Sequence, residues 1–463
     1  MALIKDMLLA KLRQLECHFT WGLNDADLND QQNRLKSKIE MSVGEDRNIG
    51  WSYSNLAFTK FMQGLLEEAR DDLEKAEEHI RKHHGDNCER QLIVTYGNFA
   101  WVYYHMGEHA QSQTYLDKLE KIKMQFPTES PAVLHPEIYG EKGGAFMSFS
   151  QQYYEKAKEC FEKALELEPE EIEWNEGYAV ALYRTEFNLT SFEESPASRQ
   201  LRRVLELDPN NAYMMVLLGL KHADYKEYQR AEELMETAMD LDPNKPYVIQ
   251  YVAKYYRRNK KFDKALSLLK RLQEMTPNSA FVHHQLGLIY MSKRQMSIQD
   301  GGEEAEALLT LCFQHLNQAI SIKPSFVYAK LDLAACYAEK KNFRKAEEMF
   351  QETFKVATAN NDSLHVVEVR YADFQLYQMK SVPLAIMHYK EGLTLQKDTA
   401  EGKRCAQQLK KLLRNPHDGE AYGLLGYVHE ITGEKLQAIE CYEKALLLDP
   451  GNEEYLTALR NLR

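Results

Sequence analysis

The sequence predicts an all-α fold built from tandem helix pairs, and three observations carry that prediction. Prolines close successive apolar segments at a fixed interval, with Pro209, Pro243 and Pro277 each 34 residues apart. Small residues recur at offsets of 12 and 7, as Ala57/Ala69/Ala76, Ala145/Ala157/Ala164, Gly219/Ala231/Ala238 and Gly426/Ala438/Ala445. Segments such as EEARDDLEKAEEHI and EKAKECFEKALELE combine helix-forming composition with apolar residues at helical spacing. Thirty-four residues is the period of the tetratricopeptide repeat. The predicted architecture is therefore a tetratricopeptide-repeat superhelix of roughly nine helix-pair repeats, curled around a central basic channel. Small side chains let the two helices of a pair approach where they cross. The closing proline lacks an N–H and pushes its predecessor out of the helical region, so it stops the second helix.

Taken in order, the first segment, MALIKDMLLAKLRQLECHFTW, has its apolar run broken by Lys5, Asp6, Lys11 and Arg13, and reads as an amphipathic helix. Clear repeats follow around Ala57 and Ala145, with a weaker copy from Ala100 between them. Residues 183–200 stretch the Pro169–Pro209 interval to 40 and read as a loop. Repeats around Gly219, Ala253 and Gly287 come next; the last is lengthened by 292–305 so that it closes only at Pro324, 47 residues after Pro277. A copy from Ala334, breaks at 355–365 and 396–419, and the repeat around Gly426 complete the chain. These breaks suggest three subdomains: an N-terminal one over 1–140, a central one over 141–354 lining the channel, and a C-terminal one over 355–463.

Composition narrows the class. With 463 residues, 44% hydrophobic and 28% charged, the chain can bury a large core, and 22 Gly and 13 Pro exclude collagen-like or linker-rich folds. No run of about 18 apolar residues occurs, which argues against a membrane-spanning helix. Seven cysteines without regular spacing fit free thiols in a reducing compartment, the cytoplasm. The net charge of −12 disfavours a generic nucleic-acid-coating protein but leaves room for a basic groove inside an acidic shell.

The first helix of each pair lines the concave surface of such repeats. With the first small residue counted as the eighth, positions two, five, nine and twelve face inward. Position two is Tyr139, Tyr213, Tyr247, Phe281 and Tyr328, and the middle three are again 34 apart. In the repeat of Ala253 the other inward positions are Gln250, Lys254 and Arg257; in the next, His284 stands at position five with Gln285 beside it. Between Lys254 and Arg271 there are eight Lys/Arg against one acid, Asp263, and residues 390–414 hold seven against three. Rings interleaved with cations suit single-stranded nucleic acid, whose phosphates pair with Lys/Arg and whose bases stack on rings. A groove for an acidic peptide would use the same residues, and from the residues alone the two readings stand level. The Arg258–Lys264 run also fits a solvated turn. No phosphate-binding loop, nucleophile elbow or zinc-spaced ligand set occurs, so the sequence points to a binding protein rather than an enzyme.

Particular segments carry a resemblance. LECHFTW (15–21), YGNFAWVYYHMG (96–107), QTYLDK (113–118), YYEKAKECFEKALELEP (153–169), GYAVALYR (177–184), YVAKYYRR (251–258) and HHQLGLIY (283–290) resemble the interferon-induced proteins with tetratricopeptide repeats, over essentially the whole chain. The resemblance implies a cytoplasmic, non-enzymatic antiviral effector of innate immunity that grips the 5′ end of foreign single-stranded RNA in a positively charged tunnel and blocks its translation. It implies that Arg184 contacts the 5′ phosphates, supported by Lys254 and Arg257, and that Tyr154, Tyr213, Tyr247 and Tyr251 hold the first nucleotides. Phe281, His284 and Gln285 would continue the track. Near the amino end, Arg34, Lys38 and Arg47 align with positions close to the triphosphate, and Asp30 with an acidic position where a divalent ion would bridge it. No other cofactor is implied. Partners would be RNA, other family members in homo- or hetero-oligomers, and the translation machinery, with no membrane. This chain departs from cap-binding members at Gly144, where they carry a stacking Trp, at Ser148, which replaces a Lys, and at Gln250, which replaces an Arg. Those departures favour 5′-triphosphate over capped RNA. The alternative is a co-chaperone-like adaptor holding an acidic peptide in its groove.

Overall fold

Wherever the sequence repeats a small residue, two helices cross in close contact. Ala57, Ala69 and Ala76 are almost completely buried, as are Ala145, Ala157 and Ala164, and Ala231 and Ala238. A Cβ on Gly219 would stand 2.9 Å from Met235 Cε and 3.2 Å from the Ala231 carbonyl oxygen, so no larger residue fits that crossing. The computed structural model describes all residues except 1, 25–27, 42–48, 86–87, 131–132, 187–190, 300–303, 361–362 and 398. Among the described residues there is no strand, and no helix is long and apolar enough to cross a membrane. All seven cysteines are free.

The chain divides into two compact units, 1–324 and 325–463, so the division follows Pro324, ahead of the break read at 355. The first unit opens with α1 (Ala2–Leu12) and α2 (Leu28–Met41). Seven pairs follow: α3 (Ile49–Met62) and α4 (Leu66–His84), α5 (Ile93–Met106) and α6 (His109–Gln125), α7 (Pro136–Phe149) and α8 (Tyr154–Leu167), α9 (Ile172–Thr185) and α10 (Pro196–Leu207), α11 (Ala212–Asp224) and α12 (Tyr228–Leu241), α13 (Pro246–Arg258) and α14 (Phe262–Met275), α15 (Ala280–Gln299) and α16 (Ala305–Ile322). The second unit holds α17 (Val327–Glu339) and α18 (Phe343–Asn360), α19 (Leu364–Asp373) and α20 (Val382–Leu395), α21 (Ala400–Leu412), α22 (Gly419–Ile431) and α23 (Lys435–Leu448), and α24 (Glu453–Leu462).

The four stretches that read as breaks contain more helix than that reading allows. Most of 292–305 extends α15 as far as Gln299, and most of 396–419 is α21. α18 runs on to Asn360, and 183–200 is helical at both ends. After α9, Glu186 accepts hydrogen bonds from the Ser195 hydroxyl, the Ala197 N–H and the Lys221 ammonium. Extra turns added to an existing helix keep its hydrogen bonds satisfied, whereas an unpaired loop would leave them to solvent.

In the first unit the leading helices of successive pairs touch one another, α3 with α5 and α7, α7 with α9, and α11 with α13 and α13 with α15. They form an inner row. The unit then closes on itself: Asp30 of α2, buried at 2% exposure, takes the Lys323 ammonium at 3.3 Å just after α16, 293 residues along the chain. Asn29, Asn33, Asn278 and Ser321 line the cleft at this closure.

Candidate nucleic-acid interface

The inner row, with Tyr154 at the start of α8, brings six of the sequence-marked residues into one cluster. The Arg184 guanidinium, at the end of α9, donates to the Tyr154 hydroxyl at 3.0 Å and lies over that ring with 5.0 Å to its centroid. Tyr213 on α11 packs against Tyr247 and Tyr251 on α13, with centroids 5.6 and 5.7 Å apart. The Lys254 ammonium sits 5.7 Å from the Tyr251 centroid. One turn on, Arg257 Nε donates to Gln285 Oε1 of α15 at 3.1 Å, which ties α13 to the next pair.

The electrostatics of this cluster are unusual for a protein interior. Burial works against the Arg184 charge, but the Tyr154, Tyr251 and Tyr213 hydroxyls outweigh it and hold the guanidinium firmly protonated. Burial pushes the Lys254 ammonium below its ordinary range, and Tyr251 only partly opposes that. Burial raises the Tyr213 hydroxyl. For Tyr251 burial acts in the same sense, yet Arg184 and Lys254 together overcome it and draw that hydroxyl down. Among the described residues, neither Arg184 nor Lys254 has a carboxylate at ion-pair distance. Three nearby cations are matched with carboxylates: Arg258 with Asp224 at 2.5 Å, Lys261 with Glu232 at 2.5 Å and Lys293 with Asp263 at 2.6 Å. Within the basic run 254–271, Arg258 and Lys261 are thus paired with carboxylates, whereas Lys254 is not at ion-pair distance from one among the described residues. At 390–414, in the second unit, Arg404 pairs with Asp373 and Lys410 with Glu434.

The remaining candidates fall in different surroundings. Phe281 is half-buried on α15, while His284 and Gln285 are buried at 7% and 6%, so Gln285 acts through Arg257 rather than as an open surface. Tyr247 is the most open ring of the group, at 40%. Arg34, Lys38 and Asp30 share α2, where Arg34 Nε meets Asp30 Oδ2 at 3.0 Å. That same oxygen takes Lys323. Asp30 therefore serves as an ion-pair clasp holding two cations. No group of three His, Cys, Asp or Glu stands together among the described residues. Arg47 lies outside the described residues. Two participants carry no sequence signal: Lys323, whose partner is 293 residues away, and Trp51, which faces Gly144 across the α3–α7 contact.

Comparison with known proteins bears on the same region. Family models described as tetratricopeptide repeat match residues 48–125, 137–171, 222–286 and 419–452. The chain is 39% identical to the human "Protein IFIT1 homolog B" over 464 aligned residues, covering 96% of this chain and 97% of that protein. It is 33% identical to the mouse "Interferon-induced protein with tetratricopeptide repeats 2", with 93% of each chain covered. Among solved structures, "Human IFIT1 dimer with PPP-AAAA" superposes with a TM-score of 0.79, and "Human IFIT1 dimer with m7Gppp-AAAA" with 0.82. Both are 35% identical and cover 96% of this chain and all of the other.

Proposed function

The chain belongs to the family of interferon-induced proteins with tetratricopeptide repeats, and from that premise we propose that it binds the 5′ end of foreign single-stranded RNA in the cavity of its first unit, with 5′-triphosphate the favoured end. The observation that carries this reading is the pair Arg184 and Lys254. Each is held among tyrosines without a carboxylate partner at ion-pair distance, and a desolvated cation without a counter-charge is costly unless an anion arrives. A triphosphate supplies several negative oxygens in one compact group. Arg184 offers a planar fork for them, Lys254 a point charge, and Arg257 a third cation one turn along α13. Tyr213, Tyr247 and Tyr251 stand next to these cations, where the first nucleotides would stack or accept hydrogen bonds.

The inner row and the α2–α16 clasp give the mechanism its shape. An enclosed cavity admits a single strand end-first and rejects a duplex, whose width does not fit. Binding is stoichiometric, and an occluded 5′ end is lost to translation initiation in the cytoplasm. The IFIT1 structures described as dimers make self-association a further part of the proposal.

The test is an anisotropy titration at fixed, near-physiological salt with one RNA carrying either 5′-triphosphate or 5′-hydroxyl. The parent should prefer triphosphate, and the double substitution Arg184→Glu with Arg257→Glu should weaken that RNA by a hundredfold or more. Equal affinity for the two ends, or an unaffected double variant, refutes the reading and leaves the acidic-peptide adaptor in its place.

A further inference from the structure

The helix that closes the first unit is held more loosely than the pairs it closes. α2 buries Leu35 and Ile39 against Ile49 and Leu56 of α3. Gln31 comes four residues before Leu35 and therefore on the same side of the helix. It is buried at 1%, yet among the described residues neither its amide oxygen nor its amide nitrogen has a hydrogen-bond partner. A buried amide without partners forfeits its hydration, so lifting α2 into water would recover hydrogen bonds that docking gives up. A helix of 14 residues also relies on its docking contacts rather than on its own stability.

Toward α16 the contact thins further. Elsewhere in the unit helices interlock: where α15 crosses α16, a Cβ on Gly287 would stand 2.9 Å from the Leu316 side chain. Between α2 and the end of α16, by contrast, a cleft of about 570 Å³ stays open, lined by Asn29 and Asn33 from one side and Ser321 and Ile322 from the other. The ion pair of Asp30 Oδ2 with Lys323, at 3.3 Å, bridges it.

Asp30 is placed so that this bridge can break. Its Oδ2 also takes Arg34 Nε at 3.0 Å, from one turn along the same helix. Losing one partner of a buried ion pair is costly because the other charge is left bare. Here the buried carboxylate keeps Arg34 when Lys323 leaves, and Lys323, already part-exposed, passes into water. Opening therefore strands no charge on either side.

We propose that α2 is a gate on the cavity: the Asp30–Lys323 bridge opens and closes while the helix pairs stay packed, and RNA ends enter and leave while it is open. The proposal rests on the RNA-end reading above and deepens it, because the time an end stays bound is then set by the clasp as well as by the cations that hold the phosphates. The empty and the occupied closed states carry the same bridge, so removing it changes the rates of exchange and leaves the affinity nearly as it was.

The experiment measures association and dissociation rates of one ppp-RNA, at one salt concentration, with the parent, Lys323→Met and Lys323→Arg, and hydrogen exchange of the same proteins without RNA. Lys323→Met should raise both rates about tenfold with the Kd within about threefold of the parent, and Lys323→Arg should behave as the parent does. The amides of α2 should exchange about tenfold faster in Lys323→Met, while those of α11 and α13 keep the parent's protection. The sign of the association rate separates a gate from lost charge, since removing a cation by itself slows the approach of RNA. Association that is slower or unchanged in Lys323→Met, with ppp-RNA still bound, overturns the gate, as does unchanged exchange in α2. A parent that binds no ppp-RNA overturns the RNA-end reading itself.

Discussion

Single residues in this protein are set as much by what they lack as by what they touch. His18 is fully buried between two amides, with Nε2 3.3 Å from Asn55 Oδ1 and Nδ1 3.0 Å from Asn98 Nδ2. That arrangement fixes a neutral ring, with Nε2–H donating to Asn55 and Nδ1 accepting from Asn98. Burial, opposed by the two amides, pulls the imidazole down to about 4. Because the folded state holds the proton less tightly than an unfolded chain, where histidine titrates near 6.5, the stability from neutral His18 is complete above pH 6.5. It is lost as pH falls from there toward 4, a loss of roughly 3 kcal/mol. Melting temperatures should therefore drop over that window, and His18→Gln, less stable at pH 7.5, should show a shallower decline; an identical decline refutes the assignment. Arg184 shows the complementary situation, a buried cation among phenols rather than a buried neutral ring. Its sequence context, GYAVALYR, announces a tyrosine next to an arginine, but the decisive partner, Tyr154, lies 30 residues away on another helix. Geometry of that kind is legible in a sequence only through resemblance or a fixed repeat period.

At the scale of the element, the turns inside the pairs that open with α3, α5, α11, α13, α17 and α22 obey one rule. In these pairs the first helix ends with a residue in the left-handed region, which lets the following N–H bond back five residues, as Glu108 to Tyr103 and Asn342 to Tyr337 do. Glycine fills that place at Gly64, Gly107 and Gly433, with φ of 81°, 83° and 78°, but lysine fills it at Lys226, Lys260 and Lys341, with φ of 65°, 59° and 56°. An L-residue there carries a steric cost of about 1–2 kcal/mol, partly offset because glycine loses more freedom on folding. Lys341→Gly should thus stabilise the protein by about 0.5–1 kcal/mol, and Gly107→Ala should destabilise it by about 1 kcal/mol, both read from denaturant midpoints. Lys260 also explains part of the basic run at 254–271, since it serves a turn and not a groove. The helix pairs themselves were legible because small residues and prolines recur for steric reasons that any reader can apply. α9 with α10, and α19 with α20, do not show the 12 and 7 offsets, and in α19 a π-turn at Phe374–Gln378 disturbs the register. Two of the breaks in the period, after Tyr290 and after Phe354, hold added turns of α15 and α18, because periodicity alone cannot distinguish a loop from a longer helix.

Across the whole molecule, a net charge of −12 coexists with a cluster in which, among the described residues, Arg184 and Lys254 have no carboxylate at ion-pair distance. Surface ion pairs such as Arg258–Asp224 are screened as salt rises. The interior cluster responds differently, through release of the counterions condensed on RNA. With Arg184, Lys254 and Arg257 each meeting a phosphate, the affinity for triphosphate RNA should fall with a log–log salt slope of about −2. The slope for Arg184→Glu with Arg257→Glu should approach zero; a flat slope in the parent would show that phosphates do not meet these side chains. Sequence periodicity reached the groove-facing positions of α11, α13 and α15, which share a single 34-residue spacing. It could not reach Lys323, whose role depends on the array returning to its own beginning. That return alters how the molecule comes apart. A tandem array with only neighbour-to-neighbour contacts unzips from whichever terminus frays first. In the first unit, the Asp30–Lys323 clasp joins both termini, so neither end can peel away until the clasp opens, and gradual erosion becomes a single event. A nascent chain leaving the ribosome has no such protection until residue 323 emerges; up to that point it is an open crescent with a fraying edge, and only afterwards a closed hoop.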